Sequence, residues 1–302
     1  MIKYFTLLFL ISSITTIAQI PDRIKHIFPE ETITYQNIPY ANDTLKKHLL
    51  DIYIPAKAKK NLPLLVWVHG GGWMTNDKYA DMGYMKNTIR AILERGYALA
   101  SIDYRHSTAA VFPAQIQDCN QAIQFLYDHA AKYGFDRNSI GLIGFSAGGH
   151  LASLLALSNN QNIADFYVHG KKPSFKIKTV VDFYGPSNLL LFFSNNKPTD
   201  VDNPIVMLLG ASPLVRPDIS ALASPATYVD KNDPPFFIVH GEKDNDVPPS
   251  QSYLLKSYLD LAKVPNELTI VTGAPHYGEM FDKEDLRMAL MNFLDTKLPL
   301  NK

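Results

Sequence analysis

A hydroxyl, a carboxylate and an imidazole that could work as one unit are spread along this 302-residue chain in the order Ser146, Asp244, His276. A serine hydroxyl is a poor nucleophile near neutral pH. It needs a base to take its proton, a carboxylate to orient that base, and donors for the negative oxygen its attack creates. Ser146 stands in Gly144-Phe145-Ser146-Ala147-Gly148, the G-x-S-x-G pattern in which a strand turns abruptly into a helix. The two glycines let strand and helix approach closely, so the serine is held in a strained conformation with its hydroxyl clear of the sheet. The context agrees: Ile140, Leu142 and Ile143 read as buried strand, and 149–157 continues as apolar helix.

In chains with this turn the acid and then the base follow the serine. After an apolar strand at Phe236–His240, the loop 241–249 offers Glu242, Asp244 and Asp246. Ligand sites lie beyond the carboxyl ends of parallel strands, which is where this loop falls. Asp246 is close enough to the following helix to serve as a turn or cap, so Asp244, at mid-loop, is assigned as the acid. His276 is the only histidine beyond it and sits in the loop Gly273-Ala274-Pro275-His276-Tyr277-Gly278. His150 and His240 read as structural hydrogen-bond partners. Donors for an oxyanion come from backbone amides that need close approach, hence glycine. His69-Gly70-Gly71-Gly72-Trp73 follows a strand ending at Val68, and Ala147 follows the serine; together they supply the two halves of such a hole.

These loops need a rigid frame. Thr32–Tyr35 and Lys47–Ile54 read as an opening antiparallel pair, with Pro55 ending the second strand. Leu64–Val68, Tyr97–Asp103, Thr179–Tyr184, Phe236–His240 and Glu267–Val271 are near-continuous apolar runs, as expected of strands covered on both faces. Helical stretches fall between them at roughly Met82–Arg95, Pro113–Tyr133, Ser250–Lys263 and Lys283–Leu298. The alternation predicts an α/β fold, a mostly parallel central sheet with helices on both faces. Segment 187–225 is looser and predicts a small cap or excursion over the active end of the sheet.

With 46% hydrophobic residues the chain can fill a large core, and 29 residues of each sign leave no net charge. That balance, without a basic stripe, argues against nucleic acid and against an anionic membrane surface. The single cysteine, Cys119, rules out an internal disulfide and lies on an apolar face with Ile116, Ile123 and Leu126, so core packing is expected. There is no metal motif and no phosphate-cradling loop with a lysine, so neither metal nor cofactor is called for. Lys3, the apolar run Phe5–Ile17 and Thr16-Ile17-Ala18 before Gln19 read as a signal peptide over 1–18. A periplasmic or secreted single domain over 19–302, without integral membrane association, is expected.

Taken together, the motifs at 69–73, Asp103-Tyr104-Arg105, 144–150, Ser224-Pro225, His240-Gly241…Asp244…Val247-Pro248 and His276 resemble the α/β-hydrolase superfamily. Within it the chain resembles the carboxylesterases related to hormone-sensitive lipase, especially the acetylxylan and feruloyl esterase-like group. The resemblance covers about 30–298 and implies Ser146 as nucleophile, Asp244 as acid, His276 as base, and the amides of Gly71, Gly72 and Ala147 as oxyanion hole. It also implies that 103–105 is structural; His106-Ser107-Thr108 departs from the usual apolar residue there. The function expected is a secreted serine esterase acting on a small-molecule or oligosaccharide ester, with acetyl or feruloyl decorations of carbohydrate foremost. Trp73, Tyr104 and Tyr277 flank the site loops and suit stacking on sugar rings or a feruloyl group. A small-molecule carboxylesterase or an arylformamidase-like hydrolase is the rival on the same scaffold. A non-catalytic binding protein is the rival outside it, disfavoured because serine, acid and base are all present.

Overall fold

The computed structural model describes residues 20–56, 60–193 and 202–300. The expected signal peptide lies outside those residues, as do 194–201 of the expected excursion.

Eight strands form one sheet: β1 (Ile33–Pro39), β2 (Leu49–Ile54), β3 (Leu62–Val68), β4 (Ala98–Ile102), β5 (Phe135–Phe145), β6 (Ile177–Phe183), β7 (Phe236–Gly241) and β8 (Asn266–Val271). Their order is β1-β2-β4-β3-β5-β6-β7-β8. β1 pairs antiparallel with β2 and β2 with β4; from β4 to β8 every pairing is parallel. The helices are α1 (Asp22–Lys25), α2 (Lys86–Arg95), α3 (Ala114–Asp128), α4 (Ala130–Tyr133), α5 (Ala147–Ser158), α6 (Leu189–Phe193), α7 (Pro204–Leu209), α8 (Pro217–Leu222), α9 (Ser250–Ala262) and α10 (Glu284–Lys297).

Side chains alternate across a strand, and the two faces of this sheet separate accordingly. Leu64, Val66, Leu142 and Ile238 join Ile116 and Ile123 of α3, Leu151 and Leu154 of α5, and Leu255 and Leu259 of α9 in one apolar cluster. Leu65, Trp67, Ile143 and Phe237 join Ile89 and Ile92 of α2 and Leu290 and Phe293 of α10 in the other. Both faces of the central strands are therefore dry, which is why their sequences read as continuous apolar runs. Cys119 is buried in the first cluster, as expected.

Several boundaries differ from the sequence reading, two of them with a visible cause. β1 runs on to Pro39 through an irregularity between Tyr35 and Ile38; an edge strand can carry a bulge and a proline because one row of its amides pairs with nothing. The helix expected over 113–133 is broken at His129, where the backbone amide and the ring Nδ1 both bond the Phe125 carbonyl oxygen, at 3.1 and 2.8 Å. Segment 187–225 supplies α6 to α8, and Phe192, Asn203, Pro204 and Ile205 from it face the cleft at the carboxyl end of the sheet. No helix among the described residues is long and apolar enough to cross a membrane.

Candidate active site

Ser146 occupies the turn between β5 and α5 at φ 52°, ψ −117°, a region that side chains other than glycine seldom adopt. Its amide holds this conformation by donating to the Phe183 carbonyl oxygen of β6 at 2.8 Å. The turn tolerates no bulk: a Cβ on Gly148 would lie 2.0 Å from the Val68 carbonyl oxygen, and one on Gly144 2.3 Å from that of Gly148. Gly148→Ala is accordingly expected to destabilise the fold by about 3 kcal/mol or more, since backbone on both sides must move. Urea denaturation would show it as a lower midpoint at unchanged slope.

The structure brings the three expected side chains into one chain of hydrogen bonds. His276 Nδ1 is 2.6 Å from Asp244 Oδ2, and His276 Nε2 is 2.8 Å from Ser146 Oγ. A carboxylate can only accept, so Nδ1 carries the proton and Nε2 accepts from the serine hydroxyl. This is the tautomer in which the imidazole can remove that proton. Asp244 is buried, and its second oxygen accepts from the amides of Asp246 and Val247 at 2.9 and 2.8 Å. Burial raises its carboxyl, but hydrogen bonds from His240, His276 and Val247 outweigh this and hold it well below the usual carboxylate range.

The rival carboxylates of the loop do other work. Glu242 accepts from the Gly273 amide at 2.8 Å, and the exposed Asp246 enters only through its backbone. His240 is buried with Nε2 2.8 Å from the Val247 carbonyl oxygen and 3.2 Å from Asp244 Oδ2, so one N–H serves both acceptors. Its place beside the acid was not legible in the sequence, although its structural character was. His150 donates from Nε2 to the Ala223 carbonyl oxygen and accepts at Nδ1 from the Trp73 indole. Burial pushes its imidazole down to about 4, so it stays neutral.

The glycine loop after β3 is held by its carbonyl groups. The Gly70 carbonyl oxygen accepts from His69 Nδ1 at 2.7 Å, and that of Gly71 accepts from the Met74 and Thr75 amides, both at 3.0 Å. In a trans peptide the N–H points opposite to the C=O. Tying down these carbonyls therefore turns the amides of Gly71 and Gly72 the other way. Among the described residues neither amide, nor that of Ala147, donates to any protein acceptor. Gly71 and Gly72 adopt φ of 119° and 58° to achieve this, which is the reason for glycine there.

Of the three aromatics expected to bind substrate, only Tyr277 stands free at the cleft, 63% exposed. Tyr104 requires correction: it is fully buried, lies off the cleft, stacks on the His69 ring at 4.3 Å and donates its hydroxyl to the His69 carbonyl oxygen at 2.8 Å. It braces the glycine loop from below. Trp73 shows an edge to the cleft but is buried, with its indole N–H spent on His150. Nor do residues 106–108 line the cleft; Arg105 instead forks onto Asp118.

A mostly parallel sheet with a strained serine at the end of its central strand β5, and an acid and a histidine in the loops after β7 and β8, defines the α/β-hydrolase superfamily. The chain belongs to its BD-FAE family, which matches residues 50–259. The curated relatives it matches include Esterase LipQ of Mycobacterium tuberculosis, 32% identical over 228 residues, covering 72% of this chain and 50% of that protein. The probable carboxylic ester hydrolase LipM of the same organism is 29% identical, over 73% of this chain and 49% of its own length. The chain thus spans about half the length of these relatives. A truncated carbohydrate esterase from gut microbiota superposes with a TM-score of 0.80 at 32% identity, covering 89% of this chain and 98% of that one. The bifunctional GH43-CE protein of Bacteroides eggerthii matches at the same TM-score and 34% identity, over 88% of this chain and 35% of its own.

Proposed function

We propose that the protein is a serine carboxylesterase whose substrates are acetyl or feruloyl esters of carbohydrate, and that it works outside the cytoplasm after loss of residues 1–18. One observation carries the chemistry: the Ser146–His276–Asp244 hydrogen-bond chain, at 2.8 and 2.6 Å, beside three amides that have no protein acceptor among the described residues. In the first half-reaction Ser146 Oγ attacks the ester carbonyl carbon and its proton passes to His276 Nε2. The carbonyl oxygen becomes an oxyanion, and the amides of Gly71, Gly72 and Ala147 are the donors that receive it. Asp244 stabilises the imidazolium. Collapse expels the alcohol, which takes the proton from Nε2. Water then enters by the same route in reverse order, releasing the acid and restoring the serine.

The cleft favours a polar substrate larger than the ester itself. Its volume of about 1210 Å³ exceeds the roughly 300–1,000 Å³ of ordinary small-molecule sites. Asn76, Asp77, Asn203 and Asn245 line it together with Tyr277, a mixture of amides, carboxylate and aromatic face that suits sugar hydroxyls and rings. The likeness to a carbohydrate esterase at 32% identity over nearly the whole of that chain supports the same reading. The expected result of a hydrolysis panel is rapid release of acetate or hydroxycinnamate from xylo-oligosaccharide esters, with long-chain acyl esters poor. A preference for long-chain esters or for formylated amines overturns the substrate assignment. In the exported protein, mass spectrometry is expected to find Gln19 as the first residue; an intact Met1 in the cytoplasmic fraction contradicts the location.

A further inference from the structure

The loop that carries the oxyanion amides is held by an acid as well as by Tyr104. Asp81, eleven residues beyond Gly70, accepts from the Gly70 amide on Oδ2 at 2.8 Å. Its other oxygen accepts from the Tyr84 hydroxyl at 2.6 Å. Tyr84 has a single proton and spends it on Asp81, so the 2.9 Å contact between the Tyr84 and Tyr184 hydroxyls must run from Tyr184 to Tyr84. Tyr184 is fully buried, its backbone amide bonds the Val239 carbonyl oxygen at 2.8 Å, and its ring lies 4.8 Å from that of His276. One continuous path therefore runs from the glycine loop through a carboxylate and two phenols to the histidine.

We propose that Asp81 is a positioning residue that sets the oxyanion loop, and that the Tyr84–Tyr184 pair ties the register of that loop to the seat of His276. The proposal rests on the serine esterase reading above. Three successive peptide planes lead into and form this side of the hole, and each is fixed by different groups: the 69–70 plane by Tyr104 on its carbonyl and Asp81 on its amide, the 70–71 plane by His69, the 71–72 plane by Met74 and Thr75. Asp81 is the anchor of these that faces the cleft. It also holds a backbone φ of 67°, a left-handed conformation that aspartate and asparagine tolerate better than most residues. Burial pushes its carboxyl above the usual range, while the bonds from Gly70 and Tyr84 and the charge of His276 pull it down. The carboxylate thus sits where it senses both halves of the catalytic apparatus without standing in either.

Removing the anchor lets the amides drift, and a displacement of about 1 Å costs roughly a hundredfold in rate. Asp81→Gly deletes the side chain without straining the backbone. It is expected to lower kcat about 10²-fold while leaving KM within about threefold, because the hole acts on the transition state and not on the bound ester. Affinity for a trifluoromethyl ketone, which forms a tetrahedral adduct on serine, should fall by the same factor. Asp81→Asn keeps an oxygen for Gly70 and turns an amide N–H towards Tyr84, whose hydroxyl then donates its hydrogen bond to the Tyr184 oxygen. It is expected to restore activity to within about fivefold of wild type, as position and not charge is what the proposal requires. Tyr84→Phe, which leaves the Gly70 bond in place, should lose about tenfold in kcat and in ketone affinity together; it decides the matter if Asp81→Gly does not fold. Unchanged kcat in Asp81→Gly, an effect confined to KM, or an Asp81→Asn variant as impaired as Asp81→Gly overturns the proposal. Ser146→Ala measured in parallel separates the two levels: if it keeps ester hydrolysis, the esterase reading fails and takes this inference with it; if it is inactive, only the role of Asp81 is in question.

Discussion

Replacing Ser146 with alanine is expected to abolish ester hydrolysis, with a fall in kcat approaching a millionfold, because the members of such a unit lose nearly everything when the nucleophile goes. The fold should survive. Alanine keeps the Cβ at φ 52°, and the Phe183 carbonyl oxygen still receives the backbone amide that holds the turn. Among the described residues the hydrogen bond lost is that of the hydroxyl to His276 Nε2, which lies at a partly open site that water can reach. A circular dichroism spectrum and melting temperature close to wild type, with no turnover, are the expected pair of results. An organophosphate should add one phosphoryl group to the wild-type protein, on Ser146 alone. Labelling of another residue, or substantial activity in the variant, would end the proposed mechanism.

The second largest effect is expected at Asp244. Its two oxygens are not equivalent: Oδ1 accepts from two backbone amides, while Oδ2 faces His276 Nδ1 at 2.6 Å. In Asp244→Asn the side-chain oxygen has to remain on the backbone amides, so the NH₂ group is forced against His276. Nδ1 must then accept, the proton moves to Nε2, and the imidazole meets Ser146 with a donor where it needs an acceptor. A loss of about 10⁴ in kcat is the scale for this wrong-tautomer state. The same NH₂ also faces the His240 N–H at 3.2 Å, so some stability is lost as well. Asp246→Asn changes an exposed side chain that, among the described residues, makes no hydrogen bond or ion pair with either histidine, and should leave kcat near wild type. Steady-state kinetics on the two variants would refute the assignment if their losses came out in the opposite order.

Features whose cause is local were legible in the sequence. Gly144 and Gly148 around Ser146 announce a turn that only glycine permits, and the apolar runs of β3, β5, β6 and β7 announce strands with no wet face. The G-x-S-x-G turn sets the order serine, acid, histidine, so the loops after β7 and β8 placed Asp244 and His276 from the sequence. What could not be read depends on which way a side chain points after packing. Tyr104 follows β4 directly and looks like a site aromatic, yet its ring lies against His69 and its hydroxyl serves the loop from inside. Asp81 carries no pattern at all: it is one of two acids between β3 and α2, and Tyr184, the partner of its partner Tyr84, lies a hundred residues further on. The break at His129 likewise depends on one side chain competing for the Phe125 carbonyl, a choice invisible to helical periodicity.

The cleft wall and the reacting groups come from different parts of the architecture, and this bears on how such a protein can change over generations. Ser146, His276, Asp244 and the glycine loop hang from the ends of β5, β8, β7 and β3, inside a sheet whose two faces are sealed by apolar clusters. Phe192, Asn203 and Ile205 belong to the excursion after β6 and take part in none of the hydrogen bonds among those groups. On the proposed esterase function, mutations there can trade one alcohol or acyl group for another while the chemistry and the thermal tolerance of the sheet stay as they are. Selection for a new diet of esters would therefore meet little antagonism between acquiring a specificity and keeping a working fold, and libraries confined to that wall are where altered preferences should be sought.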